Sequence, residues 1–224
     1  MGRSHGPSGP WEKAKPTDRK KIFIANKNLG KILLDSGVCN KRQLSLVGSP
    51  RFDLIINNKN FNIDQNSKVV TLFSFHHASG LIELKGENKF FSDGDSGYYD
   101  LFKQVHVAIA ELAVENKDFT FIIKTKWGGQ WHERILSTVY ESSGIDILHE
   151  KNIFLLSEGD AQSLIKKSSV VVAFNSTTVL EAHLLKKNVI TPVFSEAKHK
   201  YYNTNLLFTK YFDSLVTASS KEDL

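Results

Sequence analysis

The chain reads as an α/β protein built on a doubly wound parallel sheet, and three observations carry that reading. Apolar strand-length runs alternate with helix-length amphipathic segments along most of the 224 residues. Val170 to Phe174 is a continuous apolar run, the signature of a parallel strand covered on both faces. That run passes directly into the polar turn Asn175-Ser176-Thr177-Thr178, a helix, and a further apolar strand, which together make a β-α-β unit.

In chain order, residues 1–20 are rich in Gly, Pro, Lys and Ser and predict a poorly ordered leader. IFIANK (22–27) predicts a strand, NLGKILLDSG (28–37) a helix closing on Gly37, and QLSLVGS (43–49) a second strand. Pro50-Arg51-Phe52-Asp53 breaks the pattern, and NNKNFNIDQNSK (57–68) has the polarity of a linker. A second series starts with strand VVTLFSF (69–75), then a loop through SDGDSG (92–97) and a long helix from about Tyr98 to Asn116. Strand FTFIIKTK (119–126), helix WHERILSTVYESSG (131–144), strand NIFLLS (152–157) and helix DAQSLIKKS (160–168) lead to the 170–174 unit. Strand NVITPVF (188–194), a helix through 198–210 and strand SLVTA (214–218) complete the series. SSKEDL (219–224) reads as the opening turn of a helix capped by Ser219 or Ser220. The domains expected are therefore a leader (1–20), a small β-α-β unit (21–56), a linker (57–68) and a main α/β domain (69–224). The small unit cannot bury a sheet alone, so a fragment or shortened relative of a longer two-domain protein is expected.

Composition narrows the function classes. Hydrophobic content of 41% and charged content of 24% are ordinary for a globular chain. No apolar run approaches the roughly 20 residues that span a bilayer, and the leader lacks a secretory apolar segment. A single cysteine, Cys39, excludes an intrachain disulfide and fits a reducing compartment. The charge of +5 is spread among 29 basic and 24 acidic residues, so no nucleic-acid partner is expected. A mild positive bias suits an anionic small molecule or a membrane surface. No nucleophile elbow, phosphate-binding P-loop, metalloprotease helix or paired-cysteine motif occurs, and no metal site is expected. Asp93 and Asp95 imitate part of a calcium loop without its later spacing.

Candidate site residues cluster at strand ends, where open α/β sheets bind ligands. Asn175, Ser176, Thr177 and Thr178 offer side-chain oxygens and backbone N–H groups at a helix start, which suits an anion. Glu181 lies one turn on, within reach of the same mouth. Thr178-Val179-Leu180-Glu181 also reads as a capping box needing no ligand, and both readings stand at this point. His76 and His77 follow the first strand of the main domain. As neighbours on an extended segment they point opposite ways, so without a turn only one serves a single site; the alternative is ordinary loop histidines. Trp127-Gly128-Gly129-Gln130-Trp131 reads either as a stacking platform for a ring or as helix-start packing.

The joint VGSPRFD (47–53), followed by the linker and by FNSTTVLEAHLLKKNVITPVF (174–194), resembles the C-terminal portion of GT-B glycosyltransferases, in the style of bacterial capsule and surface-polysaccharide enzymes. The likeness covers about 200 residues and omits nearly all of that family's N-terminal domain. It implies a Rossmann-like donor half at 69–224 preceded by a remnant of the N-terminal domain, with a nucleotide-sugar as donor substrate and no separate cofactor. It places Ser176, Thr177 and Thr178 near the donor phosphates and Glu181 on the ribose hydroxyls, with Ser74, His76, Lys124 and Lys126 facing the same cleft. His5-Gly6 would belong to an acceptor-domain loop. A glycan or lipid-linked acceptor is implied, in the cytoplasm at the inner face of the membrane. No catalytic group is identified. Two departures stand out: Lys187 where the family usually has Gly, and Lys124-Thr125-Lys126-Trp127 where many relatives carry Lys-x-His-Pro. An epimerase of the same fold and a non-catalytic nucleotide-binding module are the alternative readings.

Overall fold

A computed structural model describes residues 16–57, 67–81 and 97–224. The leader histidine His5 and the Asp93/Asp95 loop lie outside the described residues. The chain divides into two compact units, Met1–Lys59 and Asn60–Leu224.

In the first unit, β1 (Ile22–Ile24) and β2 (Leu44–Leu46) pair in parallel, with Ile22 opposite Leu44. Between them runs α1 (Lys27–Asp35), started by Asn26, whose Oδ1 accepts from Leu29 N–H at 2.8 Å. Gly30 lets α1 lie close on the strand, since a Cβ there would stand 2.6 Å from Ile24 Cδ1. The Pro50 motif, expected to break the pattern, instead opens α2 (Pro50–Asn57). Proline is tolerated in a first helical turn, where its missing N–H has no partner to lose, so the same residue that ends a strand starts a helix. Phe23 is 69% exposed and Leu46 53%, as a two-stranded sheet leaves them.

The second unit holds a six-stranded sheet in the order β5-β4-β3-β6-β7-β8, parallel throughout. The strands are β3 (Val69–Phe73), β4 (Thr120–Lys124), β5 (Ile153–Leu156), β6 (Val170–Ala173), β7 (Asn188–Pro192) and β8 (Val216–Ala218). The crossover helices are α3 (Tyr99–Glu115), α4 (Gln130–Ser143), α5 (Ala161–Lys167) and α6 (Thr178–Leu184). The chain winds outward from β3 to β5, returns to β6 beside β3, and winds out the other way. This is the doubly wound sheet expected. Helix α3 packs on α4, and α5 on α6. The core runs from Leu72, Ile123 and Val172 on the sheet into Leu101, Phe102, Val105 and Ile109 of α3 and Ile135 and Val139 of α4. Central β6 is apolar in succession, whereas edge strand β5 alternates, with Phe154 and Leu156 outward.

Long-range side chains finish the helices. Tyr98 gives α3 no side-chain cap; instead the Glu196 carboxylate accepts from Asp100 N–H at 2.6 Å and Leu101 N–H at 2.9 Å. At the other end, Asn152 Nδ2 donates to the carbonyls of Ala113, Asn116 and Phe119, pinning the exit of α3 to the sheet.

The helix expected through 198–210 is broken. A 3-10 turn at Ser195–Lys198, the single turn α7 (Lys200–Asn203) and a 3-10 segment at Thr209–Ser214 stand in its place. Thr204 Oγ1 and Asn205 Nδ2 both donate to Tyr201 O, and Phe208 takes a left-handed φ of 66°. Short polar side chains compete here with the helical ladder. At the chain end, Ser220 Oγ accepts from Asp223 N–H at 3.2 Å and the Asp223 carboxylate accepts from Ser219 N–H at 3.1 Å, a capped turn as the sequence suggests. No described helix is long and apolar enough to cross a membrane.

Candidate functional site

The winding direction reverses between β3 and β6, and it is at the C-terminal strand ends of such a reversal that open α/β sheets form their ligand crevice. Register brings three strand exits to one edge: Phe73 lies opposite Ala173 on one side and Lys124 on the other, and Ser74 N–H donates to Lys124 O at 2.9 Å.

The β3 exit carries Ser74, His76 and His77. Ser74 Oγ is 2.9 Å from His106 Nε2 and accepts from Trp131 Nε1–H at 3.3 Å. The His76 ring stacks on His77 at 4.2 Å and lies 5.2 Å from Trp131. Its Nδ1 accepts from Ala78 N–H at 2.9 Å. Neighbouring histidines come together, contrary to the extended-strand expectation, because the chain turns at 77–80. Burial, aided by the charge of His77, pushes the His76 pKa down to about 4. Burial also lowers His77, with Arg134 of α4 as the second cause. Gly97, at φ +92°, crosses so near that a Cβ would fall 2.5 Å from His77 O.

At the β6 exit, Asn175 adopts a left-handed φ of 47° and uses its amide as a staple. Nδ2 donates to Ser79 O at 2.9 Å and Asn205 O at 3.3 Å, and Oδ1 accepts from Leu207 N–H at 2.7 Å. Ser176 Oγ accepts from Thr178 N–H at 3.2 Å and donates to Thr178 Oγ1 at 3.0 Å. The capping box centred on Thr178 does not form: the N-cap is Thr177, it makes no side-chain cap bond, and Thr178 already belongs to α6. Thr177 is exposed at the mouth, while Glu181 is fully buried, at 0% exposure.

The β4 exit separates its two lysines. Lys124 Nζ donates to Thr125 O at 2.7 Å and Ser157 O at 2.8 Å, and burial lowers its pKa. Lys126 lies beyond the strand, its ammonium 4.7 Å over the Trp127 ring. Trp131 is buried as helix-start packing and Trp127 remains 48% exposed, so the two aromatics play different parts. His132 Nε2 sits 2.9 Å from Thr125 Oγ1.

Of the residues the family resemblance implies, Ser74 and Lys124 lie on neighbouring strand ends, and His76 follows two residues after Ser74. His106, His132, Arg134 and Glu196, which also line this edge or hold its helices, carry no strand-end signal. Only His106 had a visible signal, a lone imidazole inside the apolar face of QVHVAIA. Among the described residues no cluster of three or more His, Cys, Asp or Glu could hold a metal ion.

The sequence matches no family model and no curated protein. Solved structures do match. The wall teichoic acid polymerase TagF superposes with a TM-score of 0.52 at 14% identity, over 90% of this chain and 46% of that one. UDP-GlcNAc 2-epimerase from Methanocaldococcus jannaschii superposes with a TM-score of 0.50 at 16% identity, over 91% of this chain and 53% of that one. The chain thus spans about half the length of the structures it matches, and its six-stranded parallel sheet has the fold of half of a GT-B protein.

Proposed function

We propose that the chain is the donor-binding half of a nucleotide-sugar-dependent glycosyltransferase that builds a surface or capsular polysaccharide. The observation that carries this reading is the switch point itself, where a hydroxyl-rich turn on β6 faces a histidine-bearing turn on β3 across the crevice in which α/β sheets hold nucleotides. The likeness to TagF supports it, and a form of that polymerase was soaked with CDPG. In this reading the Ser176 and Thr177 hydroxyls and the amides of their turn contact the donor phosphates. Lys124 adds positive charge behind them, and Asn175 holds the turn in place. Neutral His76 offers an N–H to a donor oxygen. Lys126 and Trp127 lie at the outer rim. The acceptor, a glycan or a lipid-linked chain at the inner face of the membrane, approaches from the opposite side of the crevice. Rate enhancement then comes from holding the two substrates in line and stabilising the departing nucleotide.

Glu181 suits the ribose hydroxyls chemically, because one carboxylate accepts from two vicinal O–H groups. Its burial means that a ribose reaches it only when the mouth opens. Glu181→Gln should weaken nucleotide binding about tenfold, the loss of one charged hydrogen bond, with the thermal midpoint little changed. Calorimetry on the folded variant checks this, and unchanged affinity removes Glu181 from the site.

The likeness to a UDP-GlcNAc 2-epimerase favours a second reading, sugar isomerisation beside the nucleotide. Calorimetry with CDP- and UDP-linked donors, followed by mass analysis of products with a glycan acceptor, separates the outcomes. A new glycosidic linkage supports the transferase, an isomerised sugar the epimerase, and binding without turnover a nucleotide-binding module. Absence of binding to every donor would defeat all three.

A further inference from the structure

We propose that Ser74, His106 and Trp131 are positioning residues for His76, forming one hydrogen-bonded chain from α4 through the end of β3 into α3 that fixes the Trp131 ring against the His76 imidazole at the switch point, while Ala78 N–H sets the His76 tautomer. The direction of every bond in the chain follows from what each atom can do. Phe102 O only accepts, so His106 Nδ1, 2.7 Å away, carries a proton and donates. In a neutral ring Nε2 is then a lone pair, and Ser74 Oγ, at 2.9 Å, must donate to it. Trp131 Nε1–H only donates, and it gives to Ser74 Oγ at 3.3 Å. Protons therefore point from indole to hydroxyl to imidazole to carbonyl.

Two consequences follow. The Ser74 proton is committed to the interior, so this hydroxyl can accept from a ligand but cannot donate to a phosphate; its part is support. The hydrogen bond to Ser74 also fixes the edge of the Trp131 ring, whose body lies 5.2 Å from His76 at a 30° tilt. On its other side His76 stacks on His77 at 4.2 Å. Because Ala78 N–H occupies His76 Nδ1, the proton of the neutral ring sits on Nε2, opposite to His106. Among the described residues, the charge of His77 bears on His76 and that of Arg134 on His77. Only the identity of the substrate rests on the function proposed above, since the tautomers belong to the ligand-free chain.

Long-range 1H–15N correlation spectra of the 15N-labelled full chain, recorded across a pH titration, test the proposal. The expected result is one Nδ1–H ring (His106) and one Nε2–H ring (His76), both neutral down to about pH 4. In Ser74→Ala the Trp131 indole N–H resonance shifts, and the His76 midpoint rises by about one unit or more toward its ordinary value near 6.5. Ser74→Thr, which keeps the hydroxyl, restores both. An Nε2–H tautomer at His106 in the unsubstituted chain, or an unmoved His76 midpoint in folded Ser74→Ala, overturns the proposal. If Ser74→Ala does not fold, the tautomers of the unsubstituted chain decide alone. Titration with UDP- and CDP-linked donors keeps the two claims apart. Expected tautomers without nucleotide binding would leave the device and remove the function, and the reverse pattern would leave the function and remove the device.

Discussion

The two strand exits that meet at the crevice are built from opposite materials. The β3 exit is a wall of rings, His76, His77 and Trp131, backed by His106 and Phe102, in which Trp131, Ser74 and His106 hydrogen-bond in sequence. The β6 exit is a row of hydroxyls from Ser176 to Thr178, with Thr177 uncapped and open to solvent. In the function proposed above, the β6 exit carries most of the donor contacts and the β3 exit contributes mainly packing, with the His76 N–H as its one donor contact. Substitutions at the β3 exit should therefore register first as lost stability, and those at the β6 exit as lost binding.

The largest effect should come from Trp131→Ala, which empties a site buried among Trp127, Phe102 and His76. A loss of about 3–5 kcal/mol is expected in urea unfolding, and a loss below about 1 kcal/mol would mean that the β3 exit is not a packed wall. Acid comes next. Burial pushes the His106 pKa down to about 4, opposed only by its bond to Phe102 O. In the unfolded chain the ring has its ordinary value near 6.5. The fold thus favours the neutral ring, so its contribution is complete above pH 6.5 and disappears as pH falls through about 4. About 3 kcal/mol of stability should vanish across that window. In His106→Gln the pH dependence between those limits should become shallower, keeping the part that His76, also pushed down to about 4, contributes, and an unchanged profile would place the acid-sensitive group elsewhere.

Asn175→Ala belongs to both exits, since it removes the staple joining Ser79, Asn205 and Leu207. Thermal unfolding should show a loss of about 1–3 kcal/mol from backbone groups left unsatisfied. Gly80→Ala should mimic it, because the added Cβ would sit 2.5 Å from Asn175 Nδ2. Smallest of all is Thr177→Ala, where no side-chain cap bond is lost. Stability should stay within about 0.5 kcal/mol while nucleotide affinity falls. A stability loss as large as that of Asn175→Ala would erase the distinction between the exits.

The doubly wound class was legible because strands and helices announce themselves by period and length, and β6 by its unbroken apolar run. What escaped was decided by contacts distant in sequence. Nothing local says that Glu196 caps α3, since the carboxylate stands 96 residues from Asp100. The break near Thr204 and Asn205 arises where side-chain bonds and a tie to Asn175 outweigh a weakly helical segment. Pro50 was ambiguous by its nature, because fixed φ and a missing N–H both end one element and begin the next. In the site, the hydroxyls of the β6 turn were readable from the strand-to-helix junction, whereas Ser74 and the lysines came only from the family resemblance. The interior chain through His106 was hidden by an apolar face in which a buried histidine looks like any other core position.

The order of strands also sets a timetable for synthesis. β3 lies at the centre of its sheet, yet its partners β4 and β6 begin near residues 120 and 170. At ribosomal rates of about 5–20 residues per second, one backbone edge of VVTLF waits roughly 5–20 s for β6. During that interval an apolar strand edge is open to neighbouring nascent chains. The Glu196 carboxylate, later still, completes the first turn of α3 only after the sheet has closed over that edge.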